Sequence, residues 1–284
     1  MSAKVVSGKT LSMEIFQKVE EGVKEIKQRG VNPHLAVVIA GDDPASHVYV
    51  RNKEKACQRC GIISSRFNLP SDSNLEDFLG VIERLNADND VHGILVQSPA
   101  PEGVNELIIA SSILPKKDVD GFHPENLGRL VQGRSGGLLP CTPSGVMRIL
   151  ERNDVRLEGA KAVVIGRSRI VGMPLALMLA QRGSDATVTL AHSRTNEIEL
   201  ICRDADVLVA AVGSAHIVGP QWIKPGAFVI DVGISRVNGK LEGDVSPEVS
   251  EIAGWITPVP GGVGPMTIAM LMENTLKAAE GQIT

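Results

Sequence analysis

Lys161-Ala162-Val163-Val164-Ile165-Gly166-Arg167-Ser168-Arg169-Ile170-Val171-Gly172-Met173-Pro174 is the stretch that decides the fold. Its apolar start reads as a strand buried on both faces, Gly166 ends that strand, and an apolar helix runs on toward Arg182. A strand that turns over glycine into a helix N-terminus offers free backbone N–H groups and the positive end of the helix dipole to an anion. A phosphate cradle is therefore expected at Gly166, Arg167, Ser168 and Gly172. The glycines do not follow Gly-x-Gly-x-x-Gly, so the turn alone does not specify a dinucleotide. The chain then repeats the unit, with a strand over 187–191, a helix around 197–202 and strands over 206–213 and 227–231. That succession predicts a Rossmann-like domain.

The end of the second strand bears on the cofactor. An NAD site usually places a carboxylate there to accept hydrogen bonds from the adenosine ribose. Here the strand ends Ala191-His192-Ser193-Arg194-Thr195 with no carboxylate, and Asp185 precedes the strand, at the wrong end. A hydroxyl and a guanidinium suit a 2'-phosphate, with Arg167 assisting. NADP is the expected cofactor.

Upstream, residues 35–40 (Leu-Ala-Val-Val-Ile-Ala) and 93–97 (Gly-Ile-Leu-Val-Gln) read as buried strands and residues 62–67 as a weaker one. Residues 10–29 and 74–85 carry apolar side chains at helical spacing. This alternation predicts a second parallel sheet covered by helices, with ligands bound beyond the carboxyl ends of its strands. A helix over 46–60 would begin just past one such end and put Tyr49, the single tyrosine, on the same face as Lys53. Exposed lysines are commonplace, so the pair alone says little. Gln97 marks a second strand end, where its amide can orient a lysine amine. In Lys117-Asp118-Val119-Asp120-Gly121, an extended backbone would turn Asp118 and Asp120 the same way, toward one crevice.

Pro140-Cys141-Thr142-Pro143-Ser144-Gly145 predicts a helix start with Thr142 as N-cap, running to about residue 151. The glycines and prolines of Thr257-Pro258-Val259-Pro260-Gly261-Gly262-Val263-Gly264-Pro265-Met266-Thr267 specify one backbone path that a ligand can approach closely. A last helix through residue 279 aligns Ile268, Leu271, Met272, Leu276 and Ala279, and is expected to return to the first domain. The fold class is thus α/β with two domains. Residues 1–139 and 266–284 form an α/β parallel-sheet domain completed by the C-terminal helix, and residues 140–265 form the Rossmann-like NADP-binding domain.

With 284 residues, 43% hydrophobic and 22% charged, the chain suits a soluble protein of two ordinary domains. A net charge of -4 leaves no electrostatic footprint for nucleic acid. No apolar run is long enough to span a membrane, and the start lacks the apolar core of a secretory signal, so a cytoplasmic location is expected. Cys57 and Cys60 form a Cys-x-x-Cys pair, but neither Cys141 nor Cys202 has a close Cys or His to complete a zinc site, and no metal is expected. At the far end of their helix these two thiols gain nothing from its dipole and read as reduced packing groups.

Taken together and in order, Tyr49-Val-Arg-Asn-Lys53, Gly93-Ile-Leu-Val-Gln97, Lys117-Asp-Val-Asp-Gly121, Pro140-Cys-Thr-Pro143, Gly166-Arg-Ser-Arg-Ile-Val-Gly172 and Pro260-Gly-Gly-Val-Gly-Pro-Met-Thr267 resemble the bifunctional methylenetetrahydrofolate dehydrogenase/methenyltetrahydrofolate cyclohydrolase family over nearly the whole chain. The resemblance implies NADP-dependent oxidation of 5,10-methylenetetrahydrofolate to the methenyl cation, then hydrolysis to 10-formyltetrahydrofolate in the same interdomain cleft. It implies Lys53 as the catalytic amine, Tyr49 packing on the folate, Gln97 tuning Lys53 and Asp120 binding the pterin. Val96, Ser98 and the loop Pro260, Gly261, Gly262, Val263 and Gly264 would line the folate site, while Gly166, Arg167, Ser168, Ser193 and Ile234 would contact NADP. It also implies a homodimer joined through the dinucleotide domain. One departure stands out: the family usually reads Gln-Leu-Pro-Leu-Pro after the strand, where this chain has Ser98 and Ala100, which reduces apolar contact beside the folate. A different two-domain NADP dehydrogenase, such as one for shikimate, would share the second domain but not the motif order of the first. A binding protein without activity would have no use for a tuned amine.

With methylenetetrahydrofolate as substrate, kcat/KM is expected to favour NADP over NAD by roughly tenfold or more, the scale of one charge-assisted contact. A wide margin for NAD would remove the argument from Ser193 and Arg194.

Overall fold

The structure, a computed structural model, describes residues 2–283. The chain packs as two compact units: Met13–Cys141 with the segment from Ile268 onward, and the opening segment through Ser12 with Thr142–Thr267. The opening residues thus belong with the Rossmann-like unit and not with the rest of residues 1–139, because Lys4–Val5 (β1) adds to that unit's sheet.

The helix Gly8–Gln28 (α1) buries Ile15, Val19, Val23 and Ile26 at the spacing the sequence predicts. His34–Ala40 (β2) follows, buried on both faces from Leu35 to Ile39. Pro44–Cys60 (α2) starts just beyond its carboxyl end. Ile63–Leu69 (β3), Leu75–Ala87 (α3) and Gly93–Val96 (β4) complete a parallel sheet of order β3-β2-β4. β2 is central and the strand order reverses at it, so a ligand crevice is expected between the carboxyl ends of β2 and β4. Phe78, Val81, Ile82 and Leu85 of α3 pack on Ala36, Val38 and Ile94 with Ile109 of Glu106–Ser112 (α4). A parallel bridge from Ile94 to Asp118 lays the next segment beside β4, ahead of Pro124–Val131 (α5).

In the other unit Cys141–Arg152 (α6), Lys161–Ile165 (β5), Gly172–Ala180 (α7), Thr187–Ala191 (β6), Ile198–Arg203 (α8), Val207–Ala210 (β7) and Phe228–Asp231 (β8) follow in turn. Ser235–Val237 (β9) and Lys240–Glu242 (β10) pair as an antiparallel hairpin, and Trp255–Ile256 (β11) returns to the main sheet. That sheet is parallel, in the order β6-β5-β7-β8-β11-β1. Thr142 is not an N-cap, as the sequence suggested. The helix begins at Cys141, two residues ahead of that reading, and the Thr142 hydroxyl meets that of Thr267 at 3.0 Å.

The last helix, Val263–Glu280 (α9), belongs to the β2-centred unit from Ile268 on, and Gly22 of α1 leaves room for Leu276, whose Cδ2 would lie 2.6 Å from a Cβ there.

A buried cation fixes the segment beside β4. Lys117 is 1% exposed, and its Nζ donates to the carbonyls of Leu85 at 2.9 Å, Asn86 at 3.0 Å and Asp88 at 2.6 Å. These are carbonyls around the C-terminus of α3, the end of a helix that attracts positive charge. Burial pulls the Lys117 pKa down, as does the neighbouring charge of Lys116. Lys117→Met leaves those carbonyls without their donor and is expected to lower the unfolding free energy by about 2–4 kcal/mol, measured by urea denaturation.

Candidate active site

Lys53 is delivered by a well-terminated helix. The Asp43 carboxylate accepts from the Ser46 N–H at 2.8 Å, Pro44 stands in the first turn, and Gly61 closes the helix with a φ of 73°. Val50, Ala56, Cys57 and Cys60 form its buried face, which leaves Tyr49 45% exposed and Lys53 half-buried one turn later. The Lys53 Nζ donates to Gln97 Oε1 at 3.0 Å. Gln97 is held for this: its backbone N–H donates to the Val38 carbonyl at 2.8 Å, and its Nε2 to the Ser98 carbonyl at 2.7 Å, which turns the amide oxygen toward the amine. Val96 is half-buried next to it and Ser98 is exposed.

Burial pushes the Lys53 pKa down, against the opposing pull of Asp120, Cys141 and Cys57. Burial pushes Asp120 up to about 6, with Lys53 opposing and Asp118 adding to the rise. An amine held below its ordinary range and a carboxyl held above its own are both better placed to exchange protons near neutrality.

Asp118 does not face the crevice with Asp120. It is buried, and its carboxylate accepts from the N–H groups of Phe122 at 3.2 Å and His123 at 2.7 Å and from Asn126 Nδ2 at 2.9 Å. The chain turns here, with Gly121 N–H bonded to the Asp118 carbonyl and Gly121 at a φ of 76°, so the two-residue alternation of an extended strand no longer applies. Asp118 instead fastens the entry to α5.

Cys141 is buried, with its Sγ donating to the Val119 carbonyl at 3.2 Å. Burial and the charge of Asp120 raise its pKa well above the ordinary thiol value, so it is a neutral lining group of the Lys53–Asp120 site. All cysteines are free and buried. Among the described residues no cluster of three or more His, Cys, Asp or Glu side chains could hold a metal ion, and no helix is long and apolar enough to cross a membrane.

The second site lies in the other unit. Its strand order reverses at β5, where β6 lies on one side and β7 on the other. A Cβ on Gly166 would stand 2.2 Å from the Ala211 carbonyl oxygen, and one on Gly172 would stand 1.9 Å from that of Gly166. Only glycine lets the turn fold this tightly at the N-terminus of α7, and the arrangement fits a dinucleotide phosphate. The Ser168 hydroxyl accepts from the Val171 N–H at 3.1 Å, so it shapes the turn as well as bordering it. Arg167, Ser193 and Arg194 are exposed at the carboxyl ends of the adjacent strands β5 and β6, and Ile234 is 40% exposed after β8.

The sequence reading missed a pair of buried carboxylates here. Asp244 is fully buried and accepts from the N–H groups of Val212 at 2.7 Å, Gly213 at 3.1 Å and Ser214 at 2.7 Å, the loop leaving β7. Asp231 accepts from the N–H groups of Asp244 at 2.9 Å and Val245 at 3.0 Å, and burial raises it to about 6. A Cβ on Gly233 would strike Asp244, and one on Gly243 would strike Asp231. Neither Asp231-Val232-Gly233 nor Gly243-Asp244-Val245 carries a motif that announces the pair.

In the loop over 260–264, Gly262 is buried, and a Cβ there would meet the Pro258 carbonyl oxygen at 2.5 Å. Its own carbonyl oxygen would lie 1.8 Å from a Cβ on Gly8. Packing therefore accounts for Gly262, while Gly261 and Gly264 stay partly open and Pro260 is exposed.

Two family profiles match the chain: the catalytic domain of tetrahydrofolate dehydrogenase/cyclohydrolase over residues 6–120, and the NAD(P)-binding domain of the same family over residues 140–283. A Streptococcus pyogenes protein described as bifunctional protein FolD is 53% identical over 278 residues, 97% of each chain. The crystal structure of a Campylobacter jejuni bifunctional methylenetetrahydrofolate dehydrogenase/cyclohydrolase superposes with a TM-score of 0.96 at 45% identity, covering 99% of this chain and 100% of that one. The Trypanosoma brucei methylenetetrahydrofolate dehydrogenase-cyclohydrolase, solved with NADP and an inhibitor, gives 0.93 at 38% identity, with 99% and 98% covered.

Asp120, raised from 3.8 to about 6, favours the folded state below the lower value, and that contribution is lost as pH rises through the upper one. Asp120→Asn has no such titration. The variant is expected to gain about 1–3 kcal/mol on the native protein between pH 4 and pH 7, read from paired denaturant titrations.

Proposed function

The chain belongs to the tetrahydrofolate dehydrogenase/cyclohydrolase family, and we propose that its two reactions share one folate site built on Lys53, Gln97 and Asp120. The protein is an NADP-dependent methylenetetrahydrofolate dehydrogenase and a methenyltetrahydrofolate cyclohydrolase. The observation that supports the residue assignment is the amine of half-buried Lys53, 3.0 Å from Gln97 Oε1 and within the electrostatic reach of Asp120.

NADP, when bound, accepts the hydride that leaves the one-carbon bridge of methylenetetrahydrofolate. No proton leaves in that step, so it asks the folate residues for position rather than for a base. Hydrolysis differs. Water adding to the methenyl cation sheds a proton, and a ring nitrogen takes one when the carbon–nitrogen bond opens, with one proton released overall. Lys53 relays these protons, since its lowered pKa lets the amine lose and regain one at modest cost. Gln97 keeps that amine oriented, and Tyr49, on the same helix face one turn earlier, offers its exposed ring to the folate. When ionised, Asp120 presents only acceptors, which match paired N–H donors on a pterin edge. Val96, Ser98 and the loop from Pro260 to Gly264 complete the lining in this reading. Gly166, Arg167, Ser168, Ser193 and Ile234 hold NADP. A homodimer and a cytoplasmic location are part of the same proposal, the dimer supported by Val237 and Leu241 standing exposed on the β9–β10 hairpin. Sedimentation equilibrium at twice the chain mass tests it.

Lys53→Met is expected to abolish cyclohydrolase, by at least about 10²-fold, and to reduce the dehydrogenase far less. Both are read spectrophotometrically, with methenyltetrahydrofolate alone and with methylenetetrahydrofolate plus NADP. Equal retention of the two activities would refute the role of Lys53.

A further inference from the structure

Asn274 is 3% exposed on α9, and its Nδ2 donates to the Val119 carbonyl at 2.8 Å and the Leu139 carbonyl at 2.8 Å, with Cys141 Sγ at 3.5 Å. The Val119 carbonyl belongs to the peptide plane whose nitrogen is that of Asp120, so whatever fixes that oxygen fixes the direction in which Asp120 leaves the chain. The Leu139 carbonyl belongs to the peptide two residues before Cys141. These segments meet closely: a Cβ on Gly121 would lie 2.4 Å from the Leu139 carbonyl carbon, and Cys141 Sγ donates to the same Val119 oxygen. The two backbone strips that present Asp120 and Cys141 are therefore tied together through one side-chain amide.

We infer that Asn274 is a positioning residue for folate binding, which sets the Asp120 carboxylate by holding the peptides on either side of the Gly121 turn. Only a side chain with two donors on one atom satisfies two converging carbonyls at this point. Aspartate has none, serine has one, and leucine of similar volume leaves the Leu139 oxygen without this donor and the Val119 oxygen with the Cys141 thiol alone. The same helix reaches the other side of the site, where Cys57, one turn after Lys53 on α2, has its Sγ 3.6 Å from Met272 Sδ. The returning helix thus contacts both elements that carry the amine and the carboxylate. The inference rests on the assignment of Asp120 to the folate.

A double-mutant cycle tests it. Asn274→Leu is expected to raise the KM for methylenetetrahydrofolate about tenfold in the otherwise native enzyme, and less than about twofold in an Asp120→Asn background. NADP affinity, measured by titration of the same preparations, is expected to stay unchanged and reports that the chain has folded. If the leucine variant does not fold, Asn274→Ser, which keeps one donor, enters the same cycle with the same expected coupling. An equal loss in both backgrounds, or none in the native one, overturns the inference and leaves the role of Asp120 standing. A folate KM untouched by Asp120→Asn alone removes the role of Asp120, and the inference with it.

Discussion

The 3.0 Å contact between the Lys53 amine and the Gln97 amide oxygen is the constraint around which the β2-centred unit is built. An amine withdrawn from water is costly unless something accepts its protons, and a single neutral oxygen leaves it poorly compensated. That imbalance is useful chemically and has to be sustained by rigid surroundings. Here the rigidity comes from a capped helix on one side and a strand continued through the Gln97 N–H on the other. The two backbones are thereby held in place, and the Gln97 amide is further turned by its Nε2 bond to the Ser98 carbonyl.

The charges that do not react are handled differently. Lys117, Asp118, Asp231 and Asp244 are buried, and their partners are largely backbone groups: carbonyls for the lysine, N–H groups for the aspartates. Each fastens a loop or helix end. A charge satisfied by several backbone dipoles holds its segment in one conformation and has no opposite charge whose titration could release it.

The fold was readable wherever local pattern and tertiary role agree. The apolar run into Gly166, the blocks over 35–40 and 93–97 and the helical spacing on α1 and α9 all report burial directly, and burial is what the structure shows. The Tyr49 and Lys53 pair was legible as a helix face. Asp118 was misplaced because two-residue alternation was extended across a turn. Asp244 and Asn274 were invisible for a different reason: an aspartate facing three N–H groups or an amide facing two carbonyls has no signature in its neighbours along the chain. β1 and β11, two residues each, were missed because each is defined by the other and by β8, and nothing local specifies such short strands.

The interleaving of the two units along the chain has a bearing on biosynthesis. β1 finds its partner in β11, far downstream, and the Lys53-bearing unit lacks its closing helix until the residues from Ile268 on have been translated. Neither unit can reach its full set of tertiary contacts while the ribosome is still at work on the middle of the message. The sheet from β2 to β4 has its α3 and α4 cover early, whereas the face of α2 that carries Cys57 waits for α9 with part of its apolar surface uncovered. A nascent chain of this kind keeps part of that unit's apolar surface uncovered until α9 has been made.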